Sequence, residues 1–380
     1  MVYLDNSATT KPYTIVADTL RDVTRYRWAN PSSAYDIADE ANTLIENVRD
    51  QFASDLHCNS EEIVFTGGGC ESNTLCIMGF LKANLDFDLY TTSLEHASIN
   101  EMLDDLPSGV GSVIIPNDQY GFVHPDKLQE LIAHRSHFSN KRPFVSITAA
   151  NSEIGVKQDL KTIAEVVHKY NGVFHCDAVQ LFPEQQIDVQ DFGLDMMSIS
   201  AQKFHGPRGA GVAFIRDGIV VKPVIYGTQE NKKRGGTYNT AAICAMGKAL
   251  ELTRTHSKTQ CINEMRDKLL QDLLKIPGTH LNGPPIGPNR LANNISITID
   301  GVDSETLVTL ADLSGVVIAK GSACQSYVKT PSRALLSIGL TEQQALSTIR
   351  ITLSEDNTEN EIYRAADILT ELIERIRCNG

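Results

Sequence analysis

The feature that most restricts this chain is an alternation. Between residues 62 and 200, short apolar runs at Glu62–Thr66, Asp88–Ser93, Val110–Pro116, Pro143–Ala149, Gly172–Cys176 and Asp195–Ser200 are separated by stretches with helical periodicity. Parallel strands need a crossover of a dozen or more residues, which is usually a helix. The pattern therefore predicts an α/β fold: a mainly parallel central sheet flanked by helices. The clearest crossover is Asp159–Tyr170, where Leu160, Ile163, Ala164 and Val167 recur at helical spacing and form one stripe to bury.

After Ala241 the pattern changes. A mostly helical stretch runs to about Ile276, Gly and Pro punctuate Pro277–Pro288, and the remainder reads as strands at Asn293–Ile299, Gly315–Ala319 and Thr348–Leu353 with a helix from Asp303. A final helix opens with a capping box, Thr358 with Glu361, and presents Ile362, Ala365, Leu369, Leu372 and Ile376 for burial. This tail predicts a compact α+β module. With 380 residues, against a soft prior of about 150 per domain, two domains are expected.

Several classes of function are disfavoured. The net charge of −13 and a pI near 5.2 repel nucleic acid and anionic membranes, so no direct binding to either is expected. Runs such as Gly209–Ile215 fall far short of the roughly 20 apolar residues that span a bilayer. The start, MVYLDNSATT, has no basic stretch or apolar core, so a cytoplasmic protein is expected. The eight cysteines lack the spacing of structural zinc sites, so no metal is expected and most are read as small buried hydrophobes.

Three segments carry chemistry. The run Glu62–Asn73 reads as a strand, a turn of three glycines and a helix start. That arrangement lets a backbone approach an anion and offers it free N–H groups, or is simply a tight turn with no ligand. Asp177 in HCDAVQ lies just past a strand end, where α/β sheets place ligands, or where a helix N-cap would stand. Lys203 follows the next strand, ahead of a Gly206–Pro207 turn. An acid and a lysine on neighbouring strand ends facing a phosphate cradle are the three fixtures that pyridoxal phosphate needs.

Lys203 in SISAQKFHGPRGAG, Asp177 in HCDAVQ, Asn151 in ANSEIGV, His96 in LEHASI and Cys324 in GSACQS resemble, in order and spacing, the cysteine desulfurases of the NifS/IscS type. These belong to the class V aminotransferase family of pyridoxal phosphate enzymes with fold type I. The likeness runs from Tyr3 to about Arg350. It implies a large domain over 14–260 and a small domain formed by 1–13 and 261–380, in a homodimer. It also implies that Lys203 binds the cofactor aldehyde, Asp177 pairs with its ring nitrogen, Gln180 bonds its phenolate oxygen, and His96 stacks on the ring and moves protons. Gly69, Cys70, Ser200, Gln202 and, from the other subunit, Thr237 would hold the phosphate, while Asn151 and Arg350 would hold the substrate carboxylate. Cys324 would take sulfur from L-cysteine as a persulfide and pass it to a protein acceptor in iron–sulfur cluster assembly or in tRNA or cofactor thiolation.

Plainer readings stand beside these. His96 alone reads as a satisfied buried imidazole, and Arg350 as a partner for any carboxylate. Cys324 sits among small and polar residues, where a core thiol has little to pack against, and Lys320 is an exposed lysine or a cation that favours its thiolate. Gln202 stands where the family usually has His and Cys70 where it commonly has Thr, which implies weaker or differently arranged phosphate binding; Gly235, where it usually has Ser, is a mild change. The segment Cys324–Pro331 resembles the longer cysteine loop of the first desulfurase group, and the end at Gly380 lacks the extension used for scaffold binding, so a dedicated acceptor is expected. The alternatives are a selenocysteine lyase or other class V enzyme, or a non-catalytic dimeric scaffold.

Overall fold

The computed structural model describes residues 1–255, 259–321 and 330–379. Its larger sheet has seven strands: β2 (Ile63–Thr66), β3 (Phe87–Thr92), β4 (Ser112–Ile115), β5 (Arg142–Thr148), β6 (Val173–Asp177), β7 (Met196–Ser200) and β8 (Gly211–Ile215). They lie in the order β2-β8-β7-β6-β5-β3-β4. The five strands from β7 to β4 pair in parallel, as the alternation predicts, and β8 pairs antiparallel with both β7 and β2. The exception has a simple cause. Only residues 201–210 join β7 to β8, too few for a helical crossover, so the chain must turn back.

Two antiparallel steps leave β2 pointing the same way as β7, so β2, β3, β5, β6 and β7 all end at one edge of the sheet. The chain moves outward from β3 to β4 and then returns to β5 on the other side of β3. Loops diverge at such a reversal and leave a crevice outside the carboxyl ends of the strands.

The helices cover this sheet. α1 (Thr14–Tyr26), α2 (Asp36–Leu56) and α8 (Thr240–Thr255) pack together, and α6 (Pro125–Ser136) packs on α7 (Leu160–Lys169). α7 is capped by Asp159 and buries the expected Leu160, Ile163, Ala164 and Val167. Each of the three larger side chains contributes roughly 1.5–3 kcal/mol. A helix also follows β2: α-helical over Gly69–Thr74 (α3), π-helical over Leu75–Gly79, and α-helical again over Phe80–Ala83 (α4).

A second core gathers around an antiparallel sheet of β9 (Thr279–Leu281), β10 (Asn294–Ile299), β12 (Ala319–Lys320) and β13 (Thr348–Thr352). α9 (Thr259–Leu273), α10 (Ser304–Leu313) and α13 (Glu359–Asn379) pack against it. α13 carries the expected capping box and buries Ile362, Ala365, Leu369 and Leu372, with Ile376 partly buried. The single strand expected over Gly315–Ala319 is two: β11 (Val316–Val317) pairs with β1 (Val2–Tyr3), and β12 pairs with β13. The N-terminus thereby joins this second core, where Asn6 Nδ2 donates to Thr352 O, and reaches the loop after β7 through Thr10 and Lys11.

Candidate active site

The strand ends enclose a cavity of about 430 Å³. Of the residues named from sequence, Gly69, Cys70, His96, Asn151, Asp177, Gln180, Ser200, Gln202, Lys203 and Arg350 line it. Thr237 is exposed and does not, and Cys324 lies outside the described residues.

The glycine turn is built for close approach. Gly68 has φ +142°, a region that L side chains rarely adopt. A Cβ on Gly69 would stand 2.9 Å from Val179 Cγ2 and 3.5 Å from Ser200 Cβ. The first turn of α3 therefore abuts β7 directly, and its N–H groups and dipole form an anion cradle. Glu71 does not spoil the cradle, because Arg234 Nε pairs with its carboxylate at 2.7 Å.

Asp177 ends β6 and is 4 % exposed. Its Oδ2 accepts from Asn73 Nδ2 at 2.7 Å and its Oδ1 from the Val179 N–H at 3.0 Å. No helix follows, so the N-cap reading fails and the carboxylate is held at the cavity wall. Lys203 closes the short 3-10 turn Ala201–Lys203, and its Nζ donates to the carbonyls of Ser7 at 2.6 Å and Ala8 at 2.8 Å. Gln180 Nε2 also donates to Ser7 O, at 3.0 Å. The strand end that supplies the acid and the loop that supplies the lysine thus converge on the N-terminal segment.

His96 caps α5 (Ala97–Asn100) and is exposed within the cavity, so the reading of a satisfied core imidazole fails. Desolvation by the cavity walls lowers its pKa; the charge of Asp177 opposes the shift and that of Lys203 adds to it. Asn151 is buried and braces its own turn: Nδ2 donates to Leu94 O at 2.7 Å, and Oδ1 accepts from the N–H groups of Glu153 and Ile154. Arg350 is 2 % exposed on β13. One Nη pairs with Asp5 Oδ1 at 2.7 Å, and its buried Nε has no hydrogen-bond partner among the described residues.

Sequence reasoning missed four side chains at this wall. Asn73 and Ser98 connect Asp177 with His96. Burial pushes the Glu95 carboxyl up to about 8, although Thr92 and the Thr148 N–H donate to it. Burial likewise lifts Glu153 to about 7, against the opposing influence of Ser332 and Arg350. The available signal was an acid just before His96 and another just after Asn151; nothing in periodicity marked Asn73 or Ser98.

The cysteines need a correction. Cys76, Cys176 and Cys244 are buried and Cys58 is half-buried, but Cys70, Cys261 and Cys378 are exposed. Burial pushes the Cys76 and Cys58 thiols up to about 12, far from thiolate chemistry. Most of the described cysteines are therefore not buried. α9 turns Cys261 outward, and Cys70 faces the cavity because the glycine turn keeps the first turn of α3 uncovered. Among the described residues, no group of three His, Cys, Asp or Glu side chains gathers to hold a metal, and no helix is long and apolar enough to cross a membrane.

The chain matches the model of the aminotransferase class-V family over residues 2–364. It is 35 % identical over 382 residues to the cysteine desulfurase IscS of Methanosarcina thermophila, covering 99 % of this chain and 93 % of that one. The solved structure of a NifS-like protein from Rickettsia africae superposes with a TM-score of 0.89 at 31 % identity, covering 98 % of this chain and 99 % of the other. That of SspA in complex with cysteine superposes with a TM-score of 0.80 at 29 % identity, covering 93 % and 99 %. The chain therefore belongs to the aminotransferase class-V family and, within it, to the cysteine desulfurases.

Proposed function

We propose that this protein is a pyridoxal phosphate-dependent enzyme that converts L-cysteine to L-alanine and an enzyme persulfide on Cys324. The observation that carries the reading is the convergence of Lys203, Asp177 and the glycine cradle on one cavity whose far wall holds Arg350. The residues fit the cofactor. A buried carboxylate suits a protonated ring nitrogen, the first turn of α3 with Ser200 suits a phosphate, and Gln180 can donate to a phenolate oxygen. The buried atoms Ser7 Oγ, Asn73 Oδ1 and Arg350 Nε, which have no hydrogen-bond partner among the described residues, further support a polar ligand at this wall. Bound there, pyridoxal phosphate supplies an aldehyde for an amine and an electron sink for the substrate α-carbon.

The chain's own groups do the rest. Lys203 Nζ, released from the Ser7 and Ala8 carbonyls, takes the substrate α-proton and later returns one to carbon. Arg350 holds the substrate carboxylate with its open Nε edge, oriented by Asp5, while Asn151 shapes the turn beside it. His96 stacks over the site beside the reacting groups. Cys324 attacks the substrate sulfur as a thiolate: an S–S bond forms, the C–S bond breaks, and its electron pair stays with the carbon fragment, which is protonated to alanine. Cysteine carries its own sulfane-forming sulfur, so no external oxidant is consumed.

Further parts of the reading rest on the same resemblance. The two cores support division into a large domain, 14–260, and a small domain, 1–13 and 261–380: α8 packs in the first and α9 in the second. Thr237, exposed in the single chain, suits a role across a homodimer. We place the enzyme in the cytoplasm, with a protein persulfide acceptor in tRNA or cofactor thiolation or in iron–sulfur cluster assembly. Persulfide transfer to purified acceptors of each kind tests this, and no transfer to any of them overturns it.

The activity is tested by measuring sulfide and alanine from L-cysteine with cofactor and reductant. Cys324→Ala and Lys203→Ala are both expected to lose turnover, and only the lysine variant to lose the visible absorption of bound cofactor. Undiminished sulfide release by Cys324→Ala overturns the role of that thiol.

A further inference from the structure

Asn73 is 1 % exposed and lies one turn beyond Gly69 on α3. Its Nδ2 makes two hydrogen bonds, to Asp177 Oδ2 at 2.7 Å and to Ser98 Oγ at 3.1 Å. A carboxylate only accepts, so the amide nitrogen must face Asp177, and both of its protons are then committed. Ser98 Oγ, having accepted from Asn73, has a single proton to give, and His96 Nδ1 lies 2.9 Å away. The backbone N–H of Ser98 points to the same nitrogen at 3.1 Å.

A backbone amide can only donate, so His96 Nδ1 must offer a lone pair. In the neutral ring the proton therefore sits on Nε2. Protonating Nδ1 would set a third hydrogen against two donors already aimed at it. The surroundings agree on balance: desolvation and the charge of Lys203 lower its pKa, and the opposing charge of Asp177 does not reverse the shift.

We propose that Asn73 and Ser98 are positioning residues that fix His96 as a neutral imidazole with its proton on Nε2, so that His96 serves the reaction as a hydrogen-bond donor and Lys203 alone carries the α-proton. A donor in a desolvated cavity stabilises charge developing on a reacting atom without itself changing protonation state. The same bridge ties the ring to the carboxylate meant for the cofactor, so one amide orients both. The kinetic part of this inference rests on the function proposed above; the tautomer does not.

The experiment uses full-length enzyme reconstituted with pyridoxal phosphate and labelled with 15N-histidine. Two-bond 1H–15N correlations report which ring nitrogen carries the proton, and the His96 signal is assigned by its loss in His96→Gln. The parent is expected to show His96 neutral with Nε2 protonated at neutral pH, and Ser98→Ala, which removes the hydroxyl donor but keeps the backbone N–H, to admit a minor fraction of ring protonated on Nδ1. In turnover, His96→Ala is expected to lose about 10²-fold in kcat/KM, with His96→Gln, which keeps an N–H donor, recovering about tenfold. A proton on Nδ1 in the parent, an unchanged tautomer in Ser98→Ala, or glutamine no better than alanine overturns the proposal. Asn73 is buried and its variants risk misfolding, so the half-buried Ser98 carries the spectroscopic arm. If the parent makes no alanine from cysteine, the proposed function fails while the tautomer measurement still decides this inference.

Discussion

His96 and His205 both belong to the walls around Lys203, and their surroundings are opposite. His96 opens to the cavity, receives two donors on Nδ1, and has its pKa lowered. His205, at φ +61°, is 5 % exposed and enclosed: its ring stacks on Tyr13 with centroids 4.3 Å apart, its Nδ1 donates to Lys11 O at 2.7 Å, and its Nε2 lies 3.5 Å from Glu355 Oε2. Tyr13 donates to the other oxygen of the same carboxylate. Burial works against charge on His205, but Glu355 and the Lys11 carbonyl outweigh it and raise the pKa. One histidine is arranged to act on what enters the cavity. The other fastens the N-terminal segment, the lysine loop and the start of the last helical region to one another, and thereby holds the Ser7 and Ala8 carbonyls that receive Lys203.

The comparison predicts a crossing of effects, largest first. His96→Ala is expected to lower turnover about 10²-fold or more, while His205→Asn, which keeps a residue tolerated at positive φ, leaves turnover within about threefold. Steady-state kinetics of the two variants check this, and equal losses would dissolve the distinction.

Chemical denaturation should show the reverse order. His205→Asn and Glu355→Gln are expected to reduce unfolding free energy by about 2–3 kcal/mol, because each strands a buried partner, whereas His96→Ala, which removes only an exposed cap, should change it by about 1 kcal/mol or less.

The Glu355→Gln loss should also depend on pH. For Glu355, burial alone would raise the pKa, but the bond and charge of His205 with the Tyr13 hydroxyl bring it from 4.5 down to about 2, so its contribution is full above pH 4.5 and disappears as pH falls through about 2. The raised His205 contributes fully below pH 6.5 and loses its contribution as pH rises through its folded value. The difference in denaturation midpoint between parent and Glu355→Gln should therefore be largest between pH 4.5 and 6.5 and shrink above that window; a difference that grows toward pH 8 would contradict the assignment.

The smallest effect is expected for Tyr13→Phe. It keeps the stacked ring and removes one hydroxyl, at a cost of about 1 kcal/mol with turnover unchanged. A loss as large as that of Glu355→Gln would move the weight of the lock from the ion pair to the phenol.

Much of this arrangement is legible in the sequence. The alternation from Glu62 to Ser200 gave the parallel strands, because period and spacing are local properties, and it put Asp177 and Lys203 at strand ends facing one edge. The helix stripe of Leu160, Ile163, Ala164 and Val167 and the Thr358–Glu361 cap are likewise local. The antiparallel return of β8 was not foreseen, although the shortness of the segment between Ser200 and Gly211 would have shown it. The division of Gly315–Ala319 between two sheets depends on where the N-terminal strand docks, which no local pattern records.

The site shows the same boundary. Sequence alone singled out the candidate groups, since a lysine, an acid and three glycines at strand ends have few shared purposes. Only the tertiary structure decided how those groups are held: Asn73 spans 104 residues to reach Asp177, Glu355 meets a histidine 150 positions earlier, and Arg350 takes its orientation from Asp5. Polar side chains used in this way obey no period. Their partners are chosen by which surfaces pack together and by the cost of leaving a buried donor or acceptor unpaired, and both are properties of the folded whole.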